Sequence, residues 1–343
     1  MAYTTINKSS DYFNTHLYSG NDTTNNQQVE LTPDLVWVKC RNNGVPSHYL
    51  VDKVRGDEKY ISTNATTAEQ TDSNTFDLVS GGFNLAGGNG WTNVTGRNYV
   101  AWNWKANGAG VSNTDGSITS TVSVDTTSGF STVSYTGTGS NATVGHGLGV
   151  APSMIITKSL VATQEWCVYH KSLGATKYLF LNENSGEQTG SVYWQDTTPT
   201  SSIFSIGASG PTNSTSAMIA YCFAEKQGYS KFGSYTGNGN ADGPFAYTGF
   251  KPAFILIKSV STTNWNMFDN KRSAFNVADE TLWANSSDSE STVGTSYGID
   301  ILSNGFKAKT VSSQVNNNNT VHIFMAFAEA PLVGTNNIAA NAR

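Results

Sequence analysis

Short apolar runs bounded by turn residues recur along the whole chain. Met154–Lys158 and Phe254–Lys258 are continuous apolar runs that end on a lone lysine, and each follows a proline closely, as expected of strands buried on both faces. Ser131–Tyr135 and Trp166–His170 are β-branched or aromatic and are flanked by turn-forming residues. An apolar stripe at helical spacing over three turns is absent. The pattern therefore predicts an all-β protein.

The sequence repeats itself. Ser134–Gly139 recurs as Ser234–Gly239, an offset of 100 residues (234 − 134), and Pro152–Ser159 matches Pro252–Ser259 at the same offset. A more divergent third copy lies upstream, where Pro33–Lys39 has the same proline, apolar run and closing lysine. Such self-similarity predicts tandem structural units.

Each copy closes on an aromatic strand, namely Tyr99–Trp104, Ile219–Glu225 and Phe324–Glu329. Units of about 100 residues that contain many short strands are typical of antiparallel sandwiches and jelly rolls. We therefore predict three tandem antiparallel β-sandwich, jelly-roll-like repeat domains, called units 1, 2 and 3. The predicted segments are an N-terminal arm (1–11), unit 1 (12–110), a linker (111–128), unit 2 (129–228), unit 3 (229–334) and a flexible tail (335–343).

Composition narrows the function classes. Only 13% of residues are charged, the net charge is −5, and the basic residues form no cluster, which argues against nucleic-acid binding. Apolar stretches fall short of the roughly 18 residues that a membrane span needs, so we expect no membrane span. Cys40, Cys167 and Cys222 have neither a pairing framework nor zinc spacing, and we expect them to be buried thiols.

Part of the sequence resembles a known family of proteins. Gly145–Lys158, followed by Trp166–His170 and Lys177–Asn182, resembles bacteriophage tail and virion proteins, notably those of marine, cyanophage-type phages. The similarity covers about residues 12–334. Unit 1 departs most, because it lacks the Gly-His-Gly-Leu-Gly loop and ends in Trp104-Lys105 rather than Phe-Ala-Glu.

The resemblance implies a non-enzymatic virion structural protein, most simply a tail-fibre or tail-associated subunit that contributes to host attachment. Such a protein is assembled in the host cytoplasm and exposed on the particle. It also implies partners: other virion proteins and further copies of the chain in a closed homo-oligomer, commonly a trimer in phage fibres. A capsid-decoration protein and a glycan-binding, lectin-like receptor-recognition module remain as alternatives.

Catalytic and metal-binding sets are not evident in the sequence. Glu225 and Glu329 recur between copies and form no local acidic pair of the kind a glycosidase needs. Asn238–Gly243 is rich in oxygen ligands but lacks the bidentate glutamate of a calcium loop, so turn chemistry explains it and calcium binding stays open. We predict no enzyme activity, no cofactor, and no catalytic or metal-ligating residues.

Aromatic residues peculiar to one unit are the better candidates for binding. Trp91 follows a glycine-rich loop, and Tyr193 and Trp194 have no evident counterpart in the other units. Exposed aromatic rings flanked by Asn and Asp suit both a host surface glycan and a protein partner. Trp91, Tyr193 and Trp194 are therefore the predicted contact residues.

Overall fold

The computed structural model of the protein describes residues 3–73, 76–88, 90–292 and 297–333. Strands make up 44% of the structure and helices 5%, and the strands form several antiparallel sheets. The prediction of an all-β fold is confirmed. None of the helices within these ranges is long and apolar enough to cross a membrane. The short helices are α1 (Ser191–Trp194), α2 (Gly210–Asn213) and α3 (Ser313–Asn316).

The strands of unit 1 are β1 (Phe13–Ser19), β2 (Asn25–Gln28), β3 (Leu35–Cys40), β4 (Tyr49–Asp52), β5 (Lys59–Tyr60), β6 (Gln70–Thr71), β7 (Phe76–Val79), β8 (Gly82–Leu85) and β9 (Asn98–Trp104). The main sheet has the order β1-β9-β3-β4, and a small sheet has the order β2-β8-β7. β5 and β6 pair with each other, and a bridge between Leu50 and Ile61 ties this pair to β4.

The strands of unit 2 and of the segment before it are β10 (Val111–Asn113), β11 (Ser120–Asp125), β12 (Phe130–Thr136), β13 (Ala142–Gly145), β14 (Met154–Ser159), β15 (Cys167–His170), β16 (Lys177–Phe180), β17 (Gln188–Thr189), β18 (Ile203–Ile206) and β19 (Ala217–Phe223). The main sheet runs β10-β11-β12-β19-β14-β15-β16-β17, and β13 pairs with β18.

The strands of unit 3 are β20 (Ser230–Thr236), β21 (Phe245–Tyr247), β22 (Phe250–Ser259), β23 (Asn266–Asp269), β24 (Glu280–Trp283), β25 (Ser291–Thr292), β26 (Ile299–Leu302), β27 (Gly305–Ala308) and β28 (Val321–Pro331). The main sheet has the order β20-β28-β22-β23-β24-β25, and the small sheet has the order β21-β27-β26.

The same strand order occurs in all three units. The last strand of each unit lies between the first and the third, as β9 lies between β1 and β3, β19 between β12 and β14, and β28 between β20 and β22. Registers agree as well, since Leu35 faces Trp104, Met154 faces Phe223, and Phe254 faces Phe327. The stretches aligned by sequence similarity thus have equivalent strand pairings.

A tyrosine and a glycine explain why the motif Ser134–Gly139 recurs as Ser234–Gly239. Tyr135 Oη donates to the carbonyl of Thr212 at 2.6 Å, and Tyr235 Oη donates to that of Val315 at 2.6 Å. Two residues further on, a Cβ on Gly137 or Gly237 would lie 1.9 or 2.2 Å from a carbonyl oxygen of the opposing loop. Only glycine allows the two backbones to approach this closely.

Both faces of each main sheet are buried. In β3, Val36 and Val38 pack with Phe83 in a cluster confined to unit 1. Leu35 and Trp37 belong to a second cluster that draws on all three units. Because successive strand residues point to opposite faces, one face lies against the small sheet and the other lies against the neighbouring units. This double burial accounts for the uninterrupted apolar runs.

The units meet around an aromatic trio. Trp104, Phe223 and Phe327 hold matching register positions in β9, β19 and β28, opposite Leu35, Met154 and Phe254. Their ring centroids lie 6.3, 5.7 and 6.0 Å apart for the Trp104–Phe223, Trp104–Phe327 and Phe223–Phe327 pairs. Three side chains at matching strand positions thus contact one another within the shared core.

The segments outside the units differ from expectation. Residues 111–128, predicted as a linker, contain β10 and β11, which extend the main sheet of unit 2. The Asp125 carboxylate accepts hydrogen bonds from the backbone N–H groups of Thr127 and Ser128, and this turn folds β11 back onto β12. In the N-terminal arm, Ile6 is buried and Tyr3 Oη donates to the carbonyl of Gly249. The predicted tail, 335–343, lies outside the described residues.

Candidate functional site

Trp194 is a core residue, which corrects its prediction as a contact residue. It is 1% exposed and packs edge-on against Tyr169, with ring centroids 6.0 Å apart. The single turn of α1 directs Trp194 inward, while Tyr193, one residue earlier, is half-buried and stacks on Tyr178 at 3.7 Å. Neither indole face of Trp194 is therefore accessible to a sugar.

Trp91 is the more exposed of the predicted contact residues. Its side chain is 37% exposed, and its ring lies 6.4 Å from that of Tyr60. Tyr60 and Tyr178 occupy matching positions in β5 and β16. Trp91 and Tyr193 thus contact equivalent tyrosines, Tyr60 and Tyr178, in two different units. The two predicted contact residues therefore do not form one site.

The recurring glutamates are held in ion pairs. Glu225 lies 2.5 Å from Lys171 and 2.7 Å from Lys231, and Glu329 lies 2.5 Å from Lys251. Burial raises the pKa of Glu225, but hydrogen bonds from the two lysines outweigh burial and lower it below the ordinary value. A carboxylate held ionised in this way does not suit the role of a general acid.

The oxygen-rich segment Asn238–Gly243 is a hydrogen-bonded turn. Asn238 Oδ1 accepts from the backbone N–H of Asn240 and from Asn316 Nδ2, and Asp242 pairs with Lys307 at 2.5 Å. Within the described ranges, three or more His, Cys, Asp or Glu side chains do not come together in a group that could hold a metal ion.

Buried polar side chains are concentrated where one unit meets the next. A junction loop follows β5, β16 or β24 in each unit (residues 62–69, 181–187 and 284–290). Its carbonyl groups accept hydrogen bonds from a ring N–H of the neighbouring unit. Trp166 Nε1 donates to Ser62 at 3.0 Å, and Trp265 Nε1 donates to Phe180, at the edge of the loop of unit 2, at 2.9 Å.

His48 takes the place of these tryptophans in unit 1. Its Nδ1 accepts from Trp37 Nε1 at 2.8 Å, so its Nε2 carries the proton and donates to the carbonyls of Trp283 at 2.9 Å and Ser286 at 3.1 Å. Burial and the nearby Lys39 ammonium lower the pKa of His48 to about 3. The neutral tautomer is therefore fixed by its partners.

A buried lysine from the third strand of each unit also reaches a junction loop. Lys39 Nζ donates to Ser287 at 2.7 Å, Lys158 Nζ donates to Thr66 at 3.1 Å, and Lys258 Nζ donates to the carbonyl of Asn184 at 3.4 Å. Burial lowers the pKa of Lys39 and Lys158 to about 8 and that of Lys258 to about 7. Their recurrence at the end of each apolar run was the sequence signal for these contacts.

The junctions close into a ring. Side chains of unit 2 reach the loop of unit 1, those of unit 3 reach unit 2, and those of unit 1 reach unit 3. Backbone bonds follow the same cycle, since the N–H groups of Glu69, Glu187 and Glu290 donate to carbonyls of units 2, 3 and 1 at 2.8, 2.8 and 2.6 Å.

Two further contacts in the ring use buried carboxylates. Asp52 pairs with Arg55 at 2.5 Å and accepts from Tyr221 Oη of unit 2 at 2.7 Å. Asp269 pairs with Arg272 at 2.6 Å and accepts from Trp102 Nε1 of unit 1 at 3.1 Å. Their hydrogen bonds serve packing between units.

Fold and junctions together define a class: an all-β protein whose equivalent units are joined cyclically by buried hydrogen bonds. The chain belongs to a family described as a domain of unknown function, DUF7483, whose model matches residues 8–331. No curated protein and no solved structure matches the chain.

Proposed function

We propose that this protein is a non-enzymatic structural component of a phage virion, most simply a tail-fibre or tail-associated subunit. In this proposal it is built from three jelly-roll-like β-sandwich repeats, 12–110, 129–228 and 229–334. The observation that carries the proposal is the cyclic set of junction contacts, in which buried Lys, His, Trp and Asp side chains connect units rather than form an open site. Such a ring suits a rigid building block of a particle.

Immunogold electron microscopy tests the location. An antibody raised against the full chain is applied to intact phage particles, and we expect gold on the tail or its fibres. Gold on the head would replace the tail assignment by the capsid-decoration alternative. Particles that carry no gold, together with absence of the chain from their protein bands, would overturn the virion proposal.

Self-association is proposed to use the outer surface. Each junction loop already contacts another unit of the same chain, so a further copy cannot occupy those positions in a symmetric oligomer. Sedimentation equilibrium should give a mass of several chains, trimers included. A single-chain mass at all accessible concentrations would contradict an intrinsic homo-oligomer.

A glycan-recognition role is the second candidate, favoured by the exposure of Trp91. Stacking on an indole can stabilise a sugar complex by a few kcal/mol, so Trp91→Ala should weaken binding to host cells about tenfold. Equal binding by the wild type and the variant would remove Trp91 from the contact surface. Steady release of reducing sugar by the purified protein would overturn the non-enzymatic proposal.

A further inference from the structure

One loop of unit 3 departs from the threefold repetition. Six residues connect β4 to β5 (53–58) and six connect β15 to β16 (171–176), but ten connect β23 to β24 (270–279). Features common to all units are explained by the shared fold. An insertion found in one unit is not required by that fold and is therefore a candidate for a binding role. The extra length carries Phe275, which is 87% exposed.

The Phe275 ring contributes little to stability in that position, because an exposed apolar side chain gains almost nothing on folding. A single exposed apolar residue is common on protein surfaces and needs no explanation by itself. Phe275 differs because it lines a groove of about 590 Å³, a size within the usual range of ligand sites.

The groove also presents a charged group that has no ion-pair partner among the described residues. Lys271 lines the same groove, and its ammonium is in none of the ion pairs of the described residues. On another wall, Lys251 and Glu329 neutralise each other at 2.5 Å. The groove thus offers one cation, Lys271, that no carboxylate of the described residues neutralises.

A second groove of about 270 Å³ shares one lining residue with the first. Lys271 lines both, and the second groove extends over β1 and residues 28–30 of unit 1, including His16 and Glu30. A ligand that contacts Lys271 and extends in both directions thus reaches residues of unit 3 and of unit 1. This shape suits a linear oligomer better than a single small molecule.

We propose that this groove binds an acidic oligosaccharide. One sugar ring stacks on Phe275, and a carboxylate of the ligand pairs with Lys271 Nζ. The groove has few apolar side chains besides Phe275 (Ala274 and the buried Ile301), so it lacks the apolar centre that anchors a protein partner. The proposal does not depend on the structural role of the ring, and it concerns a site other than Trp91.

Calorimetric titration of the full chain tests it, with trigalacturonate as the acidic probe and maltotriose as a neutral probe of equal length. We expect trigalacturonate to bind more tightly than maltotriose. Phe275→Ala should weaken trigalacturonate binding about tenfold or more. Lys271→Gln should reduce the preference for the acidic probe by a similar factor, because it removes only the charge.

Phe245→Ala is the matched control, since Phe245 is an exposed aromatic residue of unit 3 (44%) that does not line the groove. It should leave trigalacturonate binding within about twofold. Circular dichroism should show unchanged folding for all three variants. Absence of trigalacturonate binding at millimolar concentration, or binding that survives Phe275→Ala, would overturn the site. Neither result would affect the immunogold test of the virion role.

Discussion

Single buried polar residues form the hydrogen bonds between units. The sequence indicated which lysines are unusual, but it did not indicate which groups they contact. A lone lysine at the end of each apolar run marks Lys39, Lys158 and Lys258 as unusual. The carbonyl that each one reaches could not be predicted, because Lys39 and Ser287 are 248 residues apart in the chain. Hydrogen bonding to several carbonyl groups makes such burial tolerable.

His48 should make the ring sensitive to acid. Its pKa is about 3 in the folded protein, against 6.5 for the unperturbed side chain. Between these values the unfolded chain binds a proton that the folded chain excludes, so stability falls as the pH drops below 6.5. The slope approaches about 1.4 kcal/mol per pH unit. In His48→Gln, urea unfolding between pH 6 and pH 4 should show a slope flatter by roughly 1 kcal/mol per pH unit.

His16→Gln serves as the comparison. The His16 ring hydrogen-bonds to Gln27 of the same unit and lines the surface groove of unit 1. This variant removes an imidazole away from the junction loops, so it controls for the loss of a histidine as such. Identical slopes for the His48→Gln variant and the wild type would show that His48 is not held neutral at the junction.

Burial also distinguishes Trp194 from Trp91, which the sequence analysis had both predicted to be contact residues. Trp194→Ala should destabilise the protein by about 3–5 kcal/mol, because it removes a fully buried indole and leaves a cavity. Trp91→Ala should cost clearly less than this, because the Trp91 side chain is 37% exposed and its removal leaves no enclosed cavity. Denaturant unfolding of both variants measures this difference. Similar losses would contradict the assigned burial.

At the scale of strands, periodicity and repetition predicted most of the fold. The predicted strands Met154–Lys158 and Ser131–Tyr135 correspond to β14 and β12, one residue longer at one or both ends. The strands in 111–128 were not predicted, because Ser, Thr, Gly and Asp are typical of linkers and equally of an edge hairpin. Only Val122 and Val124 alternate with polar residues in β11, and β10 is three residues long, so the alternation gave a weak signal there.

The hairpin before unit 2 should contribute to stability. Val122 in β11 is buried, whereas its partner across the pair, Val111 in β10, is 67% exposed. Val122→Ala should therefore cost roughly 1–3 kcal/mol, and Val111→Ala should cost less than about 0.5 kcal/mol. Thermal unfolding of the two variants provides the measurement. Equal, negligible effects would restore the interpretation of 111–128 as a linker.

At the scale of the whole molecule, the repeat was visible in the sequence but its closure into a ring was not. Similarity at an offset of 100 residues predicts equivalent units and is silent on whether they touch. The structure shows that the units contact one another. The face of each main sheet that is turned away from its small sheet contributes residues to one cluster shared by all three units. The aromatic trio of Trp104, Phe223 and Phe327 could be found only once the strands were in place.

The shared core should make the three units unfold together. Phe254 lies in this core against Trp102 and Trp104 of unit 1, whereas Phe268 lies in the cluster confined to unit 3, and both are fully buried. Each alanine substitution should cost about 3–5 kcal/mol. In scanning calorimetry, both variants should retain one transition at a lower temperature, with calorimetric and van't Hoff enthalpies in agreement. Separate transitions, with only one displaced by Phe254→Ala, would mean that the units fold independently and that the ring contacts do not couple them.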